Sequence, residues 1–373
     1  MEIKTNDDGR SHGRELWPDR EGWASRLWVI DYAMRIGQAT VRMAGIGGVE
    51  TRWNQRMKGY ARQLLEDTVR YMQAEGYAVS MLFGIENFYI KFGYVSCLAA
   101  SSFKIKTRDA EAAAERARPY RTRSIASADM PAVLELYNAH NADRTGSIVR
   151  TPADFIEFEK GTWYGTPPET LLWEDDAGKL LGYAVWDKYP KGVKVAELEA
   201  WDDALFPTML ATFAAQAVEK RCEDITFYMP PDHPFAEFAQ CYGVEWTVTY
   251  PRYGSGMMRI LNQRPLFEAI APELERRLAA SPLAGYTGAL SLETDLGITT
   301  LDFAAGHVTV NGDVSAELRL TLPQSALMQL LMGYRRARDV LNDPAVSLIG
   351  AGLPLLNALF PKGMPYPWLA DHF

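Results

Sequence analysis

The chain has 373 residues, 47% hydrophobic and 23% charged, with 29 Gly, 21 Pro and three Cys. That composition excludes collagen-like, low-complexity and wholly disordered chains, and the length suits two or three domains. The net charge of −8 argues against nucleic acid as a partner. No apolar run reaches the roughly 18–20 residues of a membrane span, so no membrane partner is expected. Cys97, Cys222 and Cys241 show neither C-x-x-C spacing nor the even count of a disulfide framework. The charge-rich start, Met1–Arg20, lacks the apolar stretch of a secretory signal, and the expected compartment is the cytoplasm.

Residues 1–25 are polar and turn-rich and read as irregular. From Leu27 the pattern becomes strand-like, with Gly37 in a turn before Thr40–Thr51. Within that stretch Gly45-Ile46-Gly47-Gly48-Val49-Glu50 has the outline of a dinucleotide fingerprint, but Glu50 stands where the last small residue belongs. The glycines read better as a bulged strand that another backbone or a ligand approaches closely. Thr51–Arg62 then collects Arg52, Arg56, Lys58 and Arg62 with no acid among them. Next, Ala61, Leu64, Leu65, Thr68, Val69 and Met72 fall on one helical face, and Gly76 marks the stop. The loop before this helix, Arg56-Met57-Lys58-Gly59-Tyr60-Ala61, points backbone N–H groups and the positive end of the helix dipole at one spot. Gly59 removes the side chain that would block an approach, so the loop suits a pyrophosphate; the same pattern also suits a solvated basic turn. Ala78–Phe83 follows as a short, buried strand.

Arg108–Arg123, with Pro119, reads as a linker. A second α/β unit follows: a helix after Asp129, strands at Thr170–Trp173 and Leu180–Trp186, a helix at Phe206–Lys220 and a strand at Asp224–Met229. From Pro265 the chain reads as an α+β unit. It has a helix at Leu266–Leu278, alternating strands through Leu290/Leu292, Val308/Val310 and Leu318/Leu320/Leu322, and Asn311-Gly312 as a tight hairpin turn. Helices at Gln324–Tyr334 and Leu353–Phe360 complete it, and Pro361, Pro365 and Pro367 keep the tail extended. The five histidines show no H-E-x-x-H or paired spacing, so no metal is expected, and Gly254-Ser255-Gly256 is not a nucleophile elbow.

After the buried strand comes Gly84-Ile85-Glu86-Asn87-Phe88-Tyr89-Ile90-Lys91-Phe92-Gly93-Tyr94. A strand, R-x-x-G-x-A, a helix, a strand and then F-Y-x-x-F-G-Y, in that order, resemble the GNAT superfamily of acyl-CoA-dependent N-acyltransferases. Ala44–Thr51, Leu82-Phe83-Gly84, Phe88-Tyr89 and the closing Asp371-His372-Phe373 resemble the Eis-type (enhanced intracellular survival) acetyltransferases. The resemblance implies two fused GNAT-like domains, 1–117 and 118–262, followed by a sterol-carrier-protein-like domain, 263–373. It implies acetyl-CoA as co-substrate, a primary amine on a small molecule or a lysine side chain as acceptor, and a homo-oligomer, a hexamer in that group.

Carried over residue by residue, the resemblance assigns Val49 and Thr51 to the pantetheine arm, with the Val49 N–H polarising the thioester carbonyl. Arg56, Met57, Lys58, Gly59, Tyr60, Ala61 and Arg62 would hold the phosphates, and Asn87 would lie near the pantetheine. Tyr89 corresponds to the acid that protonates the departing thiolate, and the Phe373 carboxylate to the base. Without the motif, Tyr89 reads as an aromatic core residue. Fewer than thirty residues precede Trp28, where a GNAT domain opens with a strand and one or two helices that wall the acceptor pocket. A non-catalytic binding protein or scaffold that keeps the fold without this wall is therefore the competing expectation.

Overall fold

Three sheets organise the chain, and their strand order shows how two of them exchange pieces. The computed structural model describes residues 1–188, 192–312 and 315–373. Strands β1 (Glu2–Asp7), β2 (Ser11–Trp17), β3 (Ser25–Ile36), β4 (Ala39–Thr51), β5 (Val79–Gly84), β6 (Val95–Ser96) and β7 (Ala100–Lys106) come first. Strands β8 (Arg121–Arg123), β9 (Pro168–Glu174), β10 (Leu180–Asp187), β11 (Val193–Ala200), β12 (Asp224–Phe227), β13 (Glu245–Thr249) and β14 (Ser255–Ile260) follow. The last group is β15 (Gly288–Thr294), β16 (Gly297–Ala304), β17 (His307–Gly312), β18 (Leu318–Thr321) and β19 (Ser347–Ile349).

The first sheet runs β1-β2-β3-β4-β5-β14-β6 and the second β13-β7-β12-β11-β10-β9-β8. So β14 leaves the second unit to lie between β5 and β6, while β7 leaves the first to lie between β12 and β13. The first two sheets therefore interleave rather than dividing at residue 117, whereas every strand of the third sheet lies after residue 262. The exchange fastens the two units through backbone ladders on both sides.

The start expected to be irregular is two paired strands, Glu2↔Trp17 through Asp7↔His12. Their charges misled, because Arg14 is buried: it bonds Thr5, Thr68 and Asp67 and lies over the Tyr71 ring. The turn Asp8-Gly9-Arg10 joins β1 directly to β2, with no helix between them. The expected linker is also ordered. Thr107–Ala110 (α2) and the 3-10 turn Glu111–Glu115 bury Ala110 and Ala113, and β8 follows.

Helix α1 (Tyr60–Ala74) buries Leu64, Leu65, Thr68, Val69 and Met72 on one face of the first sheet. The other face, with Met34, Ile36, Met43 and Met81, shares a core with Leu266, Phe267, Ile270 and Leu274 of the third unit. In the second unit, α3 (Met130–His140), α4 (Phe206–Glu219) and α5 (Pro234–Ala239) cover the sheet. The third sheet, β17-β16-β15-β18-β19, carries α6 (Gln263–Ala279), α7 (Gln324–Leu331), α8 (Ala337–Leu341) and α9 (Leu353–Leu359). Asn311 and Gly312 are not a hairpin turn: they pair with Thr300 and Thr299 inside the ladder. The reversal falls at Ala305-Gly306, both at positive φ (52° and 83°), the geometry of a two-residue hairpin loop. The mixed α/β and α+β class expected from the sequence is the class observed.

Candidate active site

Strands β4 and β5 run parallel and pair from Met43↔Val79 to Ile46↔Leu82; beyond that the register ends. Gly47–Thr51 and Phe83-Gly84 thus line a wedge between diverging strands. On the other side of β4 the register slips between Arg26 and Trp28, so that Gly48 and Val49 stand opposite the single residue Leu27. Gly48 sits at φ 59°, and a Cβ there would come within 2.6 Å of the Trp28 ring. The bulge needs glycine on both counts.

The basic loop closes one end of the wedge. After a 3-10 turn at Trp53–Gln55 the chain takes positive φ at Met57 (64°) and at Gly59 (82°), the residue before α1. No side chain caps α1, and its first turn holds no acid. Among the described residues, the six amides from Met57 to Arg62 have no hydrogen-bond partner. Nothing lies within 4 Å of where a Gly59 Cβ would be. Arg56 reaches the Thr51 carbonyl at 3.4 Å and lies over the Trp53 ring, and Lys58 donates to Gln55 at 2.9 Å. Arg62 is exposed. Bare amides, open space, three cations and a helix N-terminus fit the diphosphate of a coenzyme A thioester.

The corresponding loop of the second unit is the reverse. Strands β11 and β12 are likewise parallel, pairing only through Val195↔Phe227 before they part. But the loop leading to α4 holds Asp202 and Asp203, and the Asp202 carboxylate accepts from the Ala204 N–H at 2.8 Å. Its amide is already occupied and its charge repels phosphate.

At the other end of the first wedge the tail arrives. The Phe373 ring lies so close to β4 that a Cβ at Gly45 would stand 2.7 Å from it, and its carboxyl carbon lies 3.3 Å from a Cβ built on Gly47. The ring stacks on Tyr32 (5.1 Å between centroids) and meets Phe83 edge-on at 5.5 Å. His372 stacks on Phe83 at 3.7 Å, and burial together with the nearby Lys160 ammonium pushes its pKa down to about 3. Such an imidazole is a feeble base.

Tyr89 is buried, its ring over Gly84 (where a Cβ would collide with it) and edge-on to Phe88. Among the described residues its hydroxyl makes no hydrogen bond. Burial raises its pKa, so the phenol is protonated at neutral pH. Asn87 is exposed at φ 60°, with its N–H held by the Tyr253 carbonyl at 3.0 Å. Val49 packs beside the cluster that contains Tyr89, and the Thr51 hydroxyl meets Ser25 at 3.1 Å. The fold thus brings Val49, Thr51, Tyr89 and Phe373 to one wedge and the 56–62 loop to its mouth.

A cavity of about 270 Å³ adjoins Phe373. Ile30 and Tyr32 of β3 form one wall, segment 148–164 of the second unit another, and Asp371–Phe373 a third. One wall of this cavity is thus contributed by the second unit. Arg150 and Lys160 line it, as do the carboxylates of Asp154, Glu157, Glu159 and Asp371. None of this segment was singled out in the sequence, where 148–164 shows no period. The one available signal was Glu197 and Glu199 alternating with apolar residues in the second half of the strand Val193–Ala200.

Residues 11–97 match the acetyltransferase (GNAT) domain family. The matched stretch spans β2 to β6 together with α1. A comparison with curated proteins gives no match. Solved structures similar to the whole chain include a probable N-acyltransferase of unknown function from Enterococcus faecalis (17% identity, TM-score 0.77), covering 98% of this chain and 90% of that one. A GCN5-related N-acetyltransferase from Kribbella flavida has 20% identity and a TM-score of 0.72, with 98% and 87% covered. Eis1 from Mycobacterium abscessus has 16% identity and a TM-score of 0.63, with 98% and 91% covered. At these identities the likeness is one of fold. GNAT domains use acetyl-CoA as co-substrate, and among the described residues no His, Cys, Asp and Glu cluster could hold a metal. No described helix is long and apolar enough to cross a membrane.

Proposed function

We propose that the protein is an acetyl-CoA-dependent N-acetyltransferase that passes the acetyl group directly to a primary amine, on a small molecule or a lysine side chain. The observation that carries this is the run of unpartnered amides from Met57 to Arg62 at the mouth of the β4/β5 wedge. Acetyl-CoA supplies an activated acyl group as a thioester. The amides and Arg56, Lys58 and Arg62 hold its phosphates, Val49 and Thr51 offer strand backbone to the pantetheine, and Asn87 lies beside it. The Val49 N–H donates to the acyl oxygen as negative charge develops there. The acceptor enters by the cavity beside Phe373. An amine must be neutral to attack, and the Phe373 carboxylate takes its proton, directly or through water. Tyr89 gives its proton to the leaving sulfur.

In the same proposal the chain works in the cytoplasm as a homo-oligomer, a hexamer by the Eis-like resemblance, and its third unit is sterol-carrier-like. The test is incubation with acetyl-CoA and a panel of amines, alcohols and thiols, read by mass spectrometry. Acetylation of amines is the expected result. Acetylation of alcohols or thiols alone overturns the acceptor class, and none at all, with no acetyl-CoA binding, leaves a scaffold.

A further inference from the structure

The second unit has an acidic rather than a basic loop before α4, and its core takes in part of the tail. Tyr366 and Trp368 of the tail belong to its core, alongside Val195 and Leu198, and the Trp368 indole donates to Asn141 at 2.8 Å. Beyond them the tail meets a group of buried charges. Arg150 forks onto Glu197 of β11, two bonds of 2.7 Å each. The same guanidinium reaches Asp371 through Nε at 2.8 Å and Nη2 at 3.0 Å. The Tyr137 hydroxyl donates to Asp371 at 3.0 Å and the Tyr183 hydroxyl to Glu197 at 2.7 Å. The side chains of Arg150, Glu197 and Asp371 are each no more than 2% exposed.

We propose that Arg150, fixed by Glu197, is a positioning residue: by clamping Asp371 it sets where the Phe373 carboxyl group lies against β4. This rests on the reading of Phe373 as the base. The chemistry supports it in three ways. First, a forked guanidinium fixes both distance and angle, which a lysine cannot. Second, Asp371 is two residues from Phe373, and two residues span at most about 7 Å, so fixing one limits the other. Third, Lys160 and the Tyr164 hydroxyl both donate to the His372 carbonyl, so the residue between clamp and carboxyl group is held as well. The second unit thus serves as a holder for the tail that enters the first wedge.

The clamp has one cation and two carboxylates, so Asp371→Ala leaves Arg150 and Glu197 as a balanced pair and the protein folded. The experiment compares the native chain, Asp371→Ala, Asp371→Asn and a chain extended by two glycines after Phe373. Two readouts are taken: hydrogen exchange of amides 369–373, and thiol release from acetyl-CoA with spermidine as acceptor. Asp371→Ala is expected to exchange these amides faster and to lose about 10²-fold in kcat, the scale of a misplacement near 1 Å, with the acetyl-CoA KM unchanged. Asp371→Asn, which keeps one acceptor oxygen for Arg150, recovers part of both. Native exchange and native kcat in Asp371→Ala overturn the clamp, as does a rise in acetyl-CoA KM without loss of kcat. If the extended chain turns over at the native rate, the Phe373 base reading falls instead. Faster exchange in Asp371→Ala then still supports the clamp as a tether, and native exchange overturns it.

Discussion

Replacing Gly45 by alanine moves the proposed base without touching it. A Cβ at position 45 lies 2.7–2.9 Å from three atoms of the Phe373 ring. Carbon atoms settle at about 3.5–4.0 Å, so one partner must withdraw by roughly 1 Å. Strand β4 cannot, because Gly45 pairs with Ile30 on one side and Met81 on the other. The tail yields. Overpacking costs about 1–3 kcal/mol, and the lower chain entropy of alanine in the unfolded state returns about 0.4–1 kcal/mol, so stability falls by at most about 2.6 kcal/mol. Turnover is far more sensitive: a displacement of this size near the reacting atoms costs about 10²-fold in kcat. The assay is thiol release from acetyl-CoA with an acceptor amine, alongside a melting curve and an acetyl-CoA titration. A Gly45→Ala protein with native kcat and a displaced Phe373 would falsify the assignment of this carboxyl group as the base.

Tyr89→Phe should bind acetyl-CoA as the native chain does and lose about 10²–10⁴-fold in kcat, the usual share of general acid catalysis, whereas full activity reassigns Tyr89 to packing. His372 has an ordinary pKa of 6.5, lowered to about 3 in the fold. Between these values the unfolded chain binds a proton that the native state does not, so acidification below 6.5 destabilises by up to about 1.4 kcal/mol per pH unit. His372→Asn should flatten the fall of Tm between pH 6.5 and 5; an unchanged slope places the acid sensitivity elsewhere. Ser25→Ala removes one bond to the Thr51 hydroxyl and one to the Glu50 carbonyl, and should cost about 1–2 kcal/mol with little change in acetyl-CoA affinity, which chemical denaturation and calorimetry check together.

The parts of the site that were legible from sequence are those built from neighbours in the chain. The glycines of β4, the basic loop, the amphipathic face of α1 and the aromatic run around Tyr89 each carry a local physical signature: positive φ, a bare helix end, a 3.6-residue period. The cavity beside Phe373 carries none. It joins β3, segment 148–164 and the tail through long-range pairing such as the Met34–Ile148 bridge and the Val149 N–H bond to the Ala33 carbonyl, and such pairing leaves no mark in periodicity. The first two strands were missed because Arg14 and Glu15 read as surface while Arg14 is in fact enclosed by Thr5, Thr68 and Asp67. Asn311-Gly312 was misplaced because its dipeptide favours turns, yet its register with β16 keeps it in the ladder.

The central claim is that the wedge beside α1 takes acetyl-CoA. Titration calorimetry of acetyl-CoA into the native chain and into Gly59→Glu tests it most directly, because position 59 has open space in front of it and no contact to lose, and its positive φ costs a glutamate only about 1–2 kcal/mol of backbone strain. A glutamate there sets a carboxylate against a diphosphate at about 4 Å, worth a loss of roughly 10²-fold or more in affinity at an effective dielectric near 20. Saturable binding by the native chain, weakened about 10²-fold or more in Gly59→Glu with the fold intact, is the predicted result; no binding by the native chain, or equal binding by both, contradicts it.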